Sequence, residues 1–144
     1  MKDRLFDISD IKDETEACAS PSLTFVDLGL PSGTLWAATD VEEPVMVGCT
    51  LPSYQQAQEL IDCCEFRVGT YPDGTRVMCV QGPSGHSILF PMEDYDGTPE
   101  PSGCCWCRGE RDESDYSYFL LLSEGLITIG VARKRLTFPY RMVR

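Results

Sequence analysis

The cysteine spacing that best suits redox or metal chemistry in this chain occurs in the run Cys104-Cys105-Trp106-Cys107. A Cys-x-x-Cys spacing serves thiol–disulfide exchange or supplies half of a zinc site. A structural zinc site needs a second pair of ligands, and the other close pair of cysteines is adjacent in sequence at the end of a predicted helix. In a strand, Cys105 and Cys107 would share one face while Cys104 and Trp106 share the other. We therefore favour core packing over a redox pair or a metal site.

The region from Glu93 to Asp115 is rich in acidic side chains, with eight carboxylates against two arginines. Within it, Glu100-Pro101-Ser102 faintly resembles the Glu-Pro-Asn calcium and sugar motif of true C-type lectins, with serine in place of asparagine. A calcium site needs several carboxylate and carbonyl oxygens that converge on one ion. We interpret the region as a solvated acidic loop, and we predict no metal and no cofactor. A cation site would require two loops to bring these carboxylates together: Asp94, Asp96, Glu100, Asp112, Glu113 and Asp115.

The only histidine, His86, lies in a turn beside Ser84 and Ser87. Nucleophilic catalysis needs a serine, a histidine and a carboxylate in a defined geometry, which proximity in sequence does not supply. We therefore assign His86 to the turn and predict no catalytic residue.

Aromatic side chains occur in and around the acidic region at Tyr95, Trp106, Tyr116 and Tyr118. Aromatic rings in polar loops stack on sugars or anchor protein partners, whereas rings in strands usually belong to a core. The sequence leaves both roles open for these residues. The candidate ligand-binding set combines rings and charges of this region: Tyr95, Glu100, Trp106, Arg108 and Asp112.

The strongest predicted element that could position these residues is a helix beginning after Ser53. Ser53 is a good N-cap, and Gln56 stands three residues later, where it completes a capping box. Residues on one face at helical spacing form the predicted inward side: Tyr54, Ala57, Leu60, Ile61 and Cys64.

Segments with a period of two follow the helix. The turn Pro72-Asp73-Gly74 separates residues 66–71 from 76–81 and predicts a hairpin, because proline presets one dihedral and glycine supplies a positive one. A second turn at 82–85 leads into a predicted strand at 87–90, and residues 91–103 have the composition of a long loop. The other predicted strands cover residues 116–122, 126–131 and 136–144.

The length of 144 residues is that of one domain, and the net charge of −11 disfavours nucleic acid and anionic membrane surfaces as partners. Residues 1–22 are polar and acidic, so we predict an N-terminal arm or linker there and one domain over residues 23–144. The chain shows no signal peptide and no membrane-inserting run. Eight cysteines would suggest disulfides in an exported domain, but their spacing favours free, buried thiols.

The segment Phe25–Trp36 has the pattern of a short strand, a Gly-Leu-Pro-Ser-Gly corner and the start of a second strand. It closely resembles the opening motif of the Fibrobacter succinogenes major paralogous domain, a family of Bacteroidetes and Fibrobacter. Further phrases are similar to this family in the same order: Leu51-Pro52-Ser53, Glu59–Cys64, Gly82–Ile88, loosely Cys105–Arg108, and finally Tyr140–Arg144. The resemblance covers about residues 25–144. It implies an α+β, C-type lectin-like fold with a twisted antiparallel sheet, one main helix and a long irregular loop region at 91–115.

This resemblance implies a non-enzymatic recognition or display module that binds a protein or a carbohydrate through residues 91–115. Two alternatives stay open. One is a thiol- or metal-dependent enzyme, by analogy with the formylglycine-generating enzymes, which share the architecture and use cysteines. The other is a structural cell-surface or fimbrial accessory domain. The family suggests an exported or surface protein, although the chain shows no leader, so the compartment stays open.

Overall fold

The computed structural model describes residues 23–45, 47–96, 98, 100–109 and 115–144, so the predicted arm at 1–22 lies outside the described residues. One helix and eight strands follow one another within this part of the chain: β1 Phe25–Val26, β2 Trp36–Ala37, α1 Tyr54–Cys63, β3 Glu65–Thr70, β4 Arg76–Gln81, β5 Ser87–Pro91, β6 Gly103–Trp106, β7 Tyr116–Leu122 and β8 Ile127–Arg133. The predicted mixed α+β class is confirmed.

The strands form three small antiparallel sheets, in the orders β1-β2, β3-β4-β5 and β6-β7-β8, and not the single sheet that we predicted. The second and third sheets meet where β5 and β6 pack closely, since a Cβ on Gly103 would lie 2.7 Å from the Cβ of Phe90. Within the connection between them, Glu93 and Ser102 pair through hydrogen bonds of 3.0 and 2.9 Å. Strand β6 also interrupts the irregular region that we predicted for residues 91–115.

The opening segment folds as its sequence predicts. Val26 pairs with Trp36 across β1 and β2, and the main-chain N–H of Gly33 donates to the Leu30 carbonyl at 2.9 Å. Gly33 has a φ of +80°, which glycine adopts readily because it lacks a Cβ. Val26, Leu28 and Trp36 are all buried, so the corner anchors its apolar side chains in the core.

Helix α1 begins with the predicted capping box. The Gln56 N–H donates to Ser53 Oγ at 3.1 Å, and the Ser53 N–H donates to Gln56 Oε1 at 2.8 Å. Ala57 and Leu60 are fully buried, as predicted. Tyr54, which we placed on the inward face, is 41% exposed because it lies at the first turn of the helix, beyond the core.

The predicted hairpin at Pro72-Asp73-Gly74 is confirmed, and the predicted turn at 82–85 leads into β5. Strands β3 and β4 pair in the register Val68↔Met78, and the Tyr71 N–H donates to the Thr75 carbonyl at 2.8 Å to close the turn. Gly74 in this turn has a φ of +94°. Strand β4 is buried on both faces from Val77 to Val80, since neighbouring strands flank it and other segments cover it.

The third sheet separates two apolar clusters. Cys105 and Cys107 belong to the main core, whereas Cys104 and Trp106 belong to a second cluster on the opposite face with Phe138. This confirms the face alternation predicted for the cysteine-rich run. The two faces of the run therefore serve packing.

The predicted last strand at 136–144 is wrong as a continuous strand. This segment changes backbone partners every few residues: Tyr140 bridges to Val41 and to Trp106, and Val143 bridges to Trp36 and to Thr50. Along one edge it bonds to residues 35–41, but only through separate bridges, so no continuous ladder extends along it. The two ends of the domain nevertheless lie together, since residues 35 and 144 exchange hydrogen bonds of 2.8 and 3.0 Å.

Candidate ligand-binding surface

Two residues of the candidate set, Tyr95 and Trp106, meet at the ring of Phe138. Their ring centroids lie 5.7 Å and 5.0 Å from that of Phe138. Tyr95 is half-buried, while Trp106 is only 5% exposed. Trp106 is therefore mainly a core residue that supports the surface, and Tyr95 is the member of this pair with the greater access to a ligand.

Of the charged members of the set, Arg108 lines a hollow together with Trp106, whereas Glu100 lies elsewhere. Glu100 lies by the β7–β8 turn, where its carboxylate accepts a hydrogen bond from the Gly125 N–H at 3.3 Å. Arg108 lies near the start of β7, with its N–H donating to the Pro52 carbonyl at 2.7 Å. The seven residues of β7 separate these two ends by about 20 Å at ~3.4 Å per residue. Asp112 lies outside the described residues.

A hollow of about 740 Å³ lies beside Tyr95, between the loop after β2, the end of β5 and the C-terminal segment. Its wall carries three kinds of side chain: the acidic Asp40, Glu42 and Glu93, the basic Lys134 and Arg135, and the aromatic Tyr95, Phe138 and Tyr140. We call this the first hollow. Burial raises the pKa of the Tyr95 phenol, and the charge of Glu93 adds to the effect, so this hydroxyl stays a neutral donor at physiological pH.

Two further hollows continue from the first. The middle hollow, about 380 Å³, shares Lys134 and Tyr140 with the first hollow. The third hollow, about 510 Å³, shares Arg108 and Gly109 with the middle one. We call the three together the loop-face groove. Because neighbouring hollows share lining residues, they lie side by side along the C-terminal segment and on to the first turn of α1.

Tyrosines line the groove along its length. Tyr54 and Tyr118 form an edge-to-face pair in the third hollow, with ring centroids 5.0 Å apart and an interplanar angle of 65°. Tyr140 stands where the first and middle hollows meet. A tyrosine offers a flat apolar ring and a hydroxyl at its tip, which suits contacts with a ligand that has both kinds of surface.

Sequence reasoning missed most of the residues that make this groove. Asp40, Tyr54 and Tyr140 were absent from the candidate set, because no local pattern relates them to Tyr95. The basic run that contains Lys134 was visible in the sequence, but its position beside Tyr95 depends on the irregular path of the C-terminal segment.

Behind the groove, Arg141 is fully buried and ties three segments together. Its Nε donates to Asp40 Oδ1 at 2.7 Å, its Nη1 to the Ala37 carbonyl at 3.0 Å, and its Nη2 to the Leu89 carbonyl at 2.6 Å. Its guanidinium also lies 4.0 Å from the ring centroid of Phe90. Burial raises the pKa of Asp40, while the charge of Arg141 and the hydrogen bond from it act in the opposite direction.

The three cysteines within residues 104–107 lie in surroundings that disfavour thiolates. All seven in the described residues are free thiols. Burial raises the pKa of Cys104 and of Cys107 to about 12, and it raises that of the fully buried Cys105 well above the ordinary value. Since the thiolate is the nucleophile and the metal ligand, these sulfurs stay unreactive near neutral pH.

Within the Glu100-Pro101-Ser102 phrase, the serine side chain bonds to the main chain of the glutamate. The Ser102 hydroxyl donates to the Glu100 carbonyl at 2.7 Å, and Ser102 is fully buried. Among the residues that the structure describes, no group of three or more His, Cys, Asp or Glu side chains is arranged to hold a metal ion.

His86 and Ser84 bind the backbone of the opening corner. The Ser84 hydroxyl donates to the Asp27 carbonyl at 2.8 Å, and His86 Nδ1 lies 3.1 Å from the same oxygen. The Ser84 N–H donates to the Leu28 carbonyl at 3.0 Å. Two of the phrases that carry the family resemblance are thus joined in space, and His86 helps to join them.

Comparisons with protein-family models, with curated proteins and with solved structures found no match to this chain. In the part of the chain that is described, no helix has the length and apolar character required to cross a membrane.

Proposed function

We propose that this chain is a non-catalytic recognition module of C-type lectin-like fold that binds a protein or a glycan along the loop-face groove. The observation that carries the proposal is the adjacency of three hollows lined by aromatic and charged side chains. Neighbouring hollows share the lining residues Lys134, Tyr140 and Arg108. Binding sites are concave, with aromatic walls and a few polar groups that orient the ligand.

The state of the thiols supports binding over thiol chemistry. An enzyme of the formylglycine-generating type would need an accessible cysteine of lowered pKa, whereas burial raises the pKa of Cys104, Cys105 and Cys107. Metal analysis of the purified protein, together with the rate of thiol alkylation at pH 7, tests this alternative. Stoichiometric copper or zinc, or one thiol that reacts far faster than free cysteine, would favour the enzyme.

A screen on a glycan array, with a parallel pull-down from extracellular and cellular extracts, tests the recognition proposal. Variants Tyr54→Ala and Arg108→Ala remove groove side chains that are already exposed, so the fold is expected to survive. Arg76→Ala is the matched control, because Arg76 is exposed, pairs with Glu124 at 2.8 Å and lines none of the three hollows.

We expect the groove variants to weaken binding of the ligand that the screen identifies and the control to leave it unchanged. The proposal is wrong if both groove variants bind every ligand found as tightly as the unchanged protein does.

A further inference from the structure

Strand β8 forms a free edge of the third sheet. It pairs with β7 on one side, and the sheet order β6-β7-β8 leaves its other side without a neighbouring strand among the described residues. None of its seven residues is buried, and Val131 is 60% exposed. The edge of β8 therefore presents main-chain N–H and C=O groups that a further strand can pair with.

The alternation of hydrogen bonds with β7 shows which residues of β8 point outward. Ser123 and Leu126 exchange main-chain hydrogen bonds of 2.9 and 3.4 Å across the β7–β8 turn, and the Lys134 N–H donates to the Asp115 carbonyl at 2.8 Å. In an antiparallel pair every second residue bonds to the neighbouring strand, so the even-numbered residues of β8 bond to β7. The main-chain groups of the odd-numbered residues point to the free edge: Ile127, Ile129, Val131 and Arg133. Within the described part of the chain, the one hydrogen bond to these groups runs from the Leu136 N–H to the Arg133 carbonyl, at 3.1 Å.

The composition of β8 is unusual for an edge that faces water. Soluble proteins protect free edges with charged residues, proline or bulges. The strand at the free edge of the second sheet, β3, carries Glu65 and Arg67. Residues 127–132 of β8 contain no charged residue and no proline, and their pairing with β7 continues without a bulge. The edge of β8 thus has the character of an interface.

We propose that β8 pairs with β8 of a second copy of this chain, antiparallel and centred on Gly130, so that the third sheets of the two copies join into one. In this register Gly130 lies opposite itself, Ile129 lies opposite Val131, and Ile127 lies opposite Arg133. The outward N–H and C=O of Ile129 bond to those of Val131 in the second copy, and the Arg133 N–H bonds to the Ile127 carbonyl. Each bond occurs twice by symmetry. This inference does not depend on the proposed recognition function.

The sequence of β8 suits pairing with itself. Gly130 falls at the centre, at a non-hydrogen-bonded position where the two Cα atoms approach to about 4.5 Å, and glycine brings no side chain into this contact. Ile129 and Val131 meet on the same face of the joined sheet, where the pairing covers a valine that is 60% exposed in the single copy. Apolar pairs of this kind stabilise neighbouring strands.

The charges near β8 are compatible with this register. Arg133 is the only charged residue of β8, and it lies opposite an isoleucine and not opposite another arginine. The β7–β8 turn, which carries the exposed Glu124, extends toward the residues after β8 in the second copy, where Arg135 is exposed. Asp115 lies at the same end as Arg135, but on the β7 side of β8. Antiparallel pairing therefore brings opposite charges together across the edge.

Sedimentation equilibrium measures this pairing directly. We expect a monomer–dimer equilibrium with a dissociation constant of about 10–100 µM, because one strand edge buries less surface than a standard interface. Val131→Lys sets a charge against Ile129 of the second copy and should weaken dimerisation at least ~10-fold. Val47→Lys is the matched control, since it adds the same charge at a residue that is 90% exposed and lies outside β8. The control should dimerise as the unchanged protein does.

Hydrogen exchange followed by NMR tests the register. The N–H groups of Ile129, Val131 and Arg133 should exchange more slowly as the protein concentration rises from about 10 µM to about 1 mM. Those of the even-numbered residues 128–132 should be protected at both concentrations, because they bond to β7. Val131→Pro removes one outward N–H without removing a bond to β7, so it should abolish the dimer while the fold is retained. Urea unfolding of each variant checks the fold, and Val131→Lys provides the measurement if the proline variant does not fold.

Four results would overturn the inference. The protein stays monomeric at about 1 mM, or it forms a dimer that Val131→Lys leaves unchanged. Concentration-dependent protection appears in β3 and not in β8, or the edge of β8 becomes protected only when a different protein is added. In each case the recognition function is judged separately, by its own variants.

Discussion

Replacing the buried Arg141 with methionine should be among the most destabilising single changes in this domain. The guanidinium donates to one carboxylate and two main-chain carbonyls, at 2.7, 3.0 and 2.6 Å, and each acceptor belongs to a segment outside the C-terminus. Methionine retains much of the apolar stem that packs against Phe90 but donates no hydrogen bond. The variant therefore removes polar contacts while keeping most of the packing.

The size of the destabilisation follows from the hydrogen-bond acceptors that Arg141→Met leaves unpaired. The carbonyls of Ala37 and Leu89 each lose a hydrogen bond to a charged donor, worth about 1.5–3 kcal/mol. Asp40 is 16% exposed and can regain part of its hydration, so its loss is smaller. Removing one partner of a buried pair generally costs about 3–5 kcal/mol, and we expect about 4 kcal/mol here. That is a large part of the ~5–15 kcal/mol that stabilises a typical domain.

The assay is equilibrium unfolding in urea, with the free energy of unfolding extrapolated to water and the slope compared between variants. Arg144→Met is the matched control, since Arg144 is exposed and lies 4.6 Å from the ring centroid of Phe25. It should lose less than about 1 kcal/mol. Asp40→Asn should also destabilise the fold, by about 3 kcal/mol, because it leaves the fully buried guanidinium of Arg141 without its carboxylate partner.

A loss below about 1 kcal/mol in Arg141→Met would refute this reasoning, since the acceptors would then be satisfied without the guanidinium. If Arg141→Met fails to fold, Arg141→Lys provides the measurement. Lysine keeps the charge but its ammonium cannot reach three separated acceptors in the planar geometry of arginine. We expect that variant to lose about 2–3 kcal/mol, because it leaves at least one of the two carbonyls unpaired.

Three further predictions concern the scaffold. Burial raises the pKa of the three thiols within residues 104–107, so stability should fall as pH rises above 9, where the unfolded thiols release protons that the fold retains; at pH 10 these three lose ~1.4 kcal/mol each, and Cys64 and Cys79, whose pKa burial also raises, add to the loss. Urea unfolding at pH 7 and 10 under reducing conditions checks this, and Cys105→Ala should remove about 1.4 kcal/mol of the difference between the two pH values; an unchanged difference would contradict it. Ser53→Ala breaks the capping box and should cost about 1 kcal/mol in the same assay, whereas no loss would show that the cap is redundant. Gly82→Ala would drive a Cβ into a main-chain carbonyl of the opening corner and should cost more than ~2 kcal/mol, while Gly125→Ala, whose Cβ would lie 3.7 Å from the nearest side-chain atom, should be nearly neutral. Equal stability of Gly82→Ala and Gly125→Ala would disprove the close approach of Gly82 to the carbonyl of the opening corner.

Interactions between residues close in the chain explain the elements that the sequence predicted correctly. The capping box at Ser53 and the Pro72-Asp73-Gly74 turn act over three or four residues, so their structures follow from neighbours in the chain. The face alternation at Cys104–Cys107 follows from strand geometry alone. Helix, hairpins and strand faces could therefore be read without tertiary information.

Contacts between distant segments explain the features that the sequence did not predict. The C-terminal segment has the alternating pattern of a strand, but Pro139 has no N–H to donate and its carbonyl accepts from Trp106 at 3.1 Å. Arg141 looks like one more surface charge until its partners, 52 to 104 residues away in sequence, are known. Trp106 entered the candidate set for its loop-like surroundings, although tertiary packing places it in a core.

The C-terminal segment connects the stability of this domain to the recognition function that we propose. Arg141 closes the core from behind, while its neighbour Tyr140 lies in the wall of two hollows and exchanges main-chain hydrogen bonds of 2.8 and 2.9 Å with Val41. A side chain in the groove wall is thus attached to a backbone that is fixed on both sides. Because rigid walls reduce the ordering cost of binding, loss of Arg141 should weaken ligand binding without touching the ligand. Such an effect would appear as reduced affinity in a variant that is still folded, and it distinguishes a preorganised groove from one that a ligand must assemble.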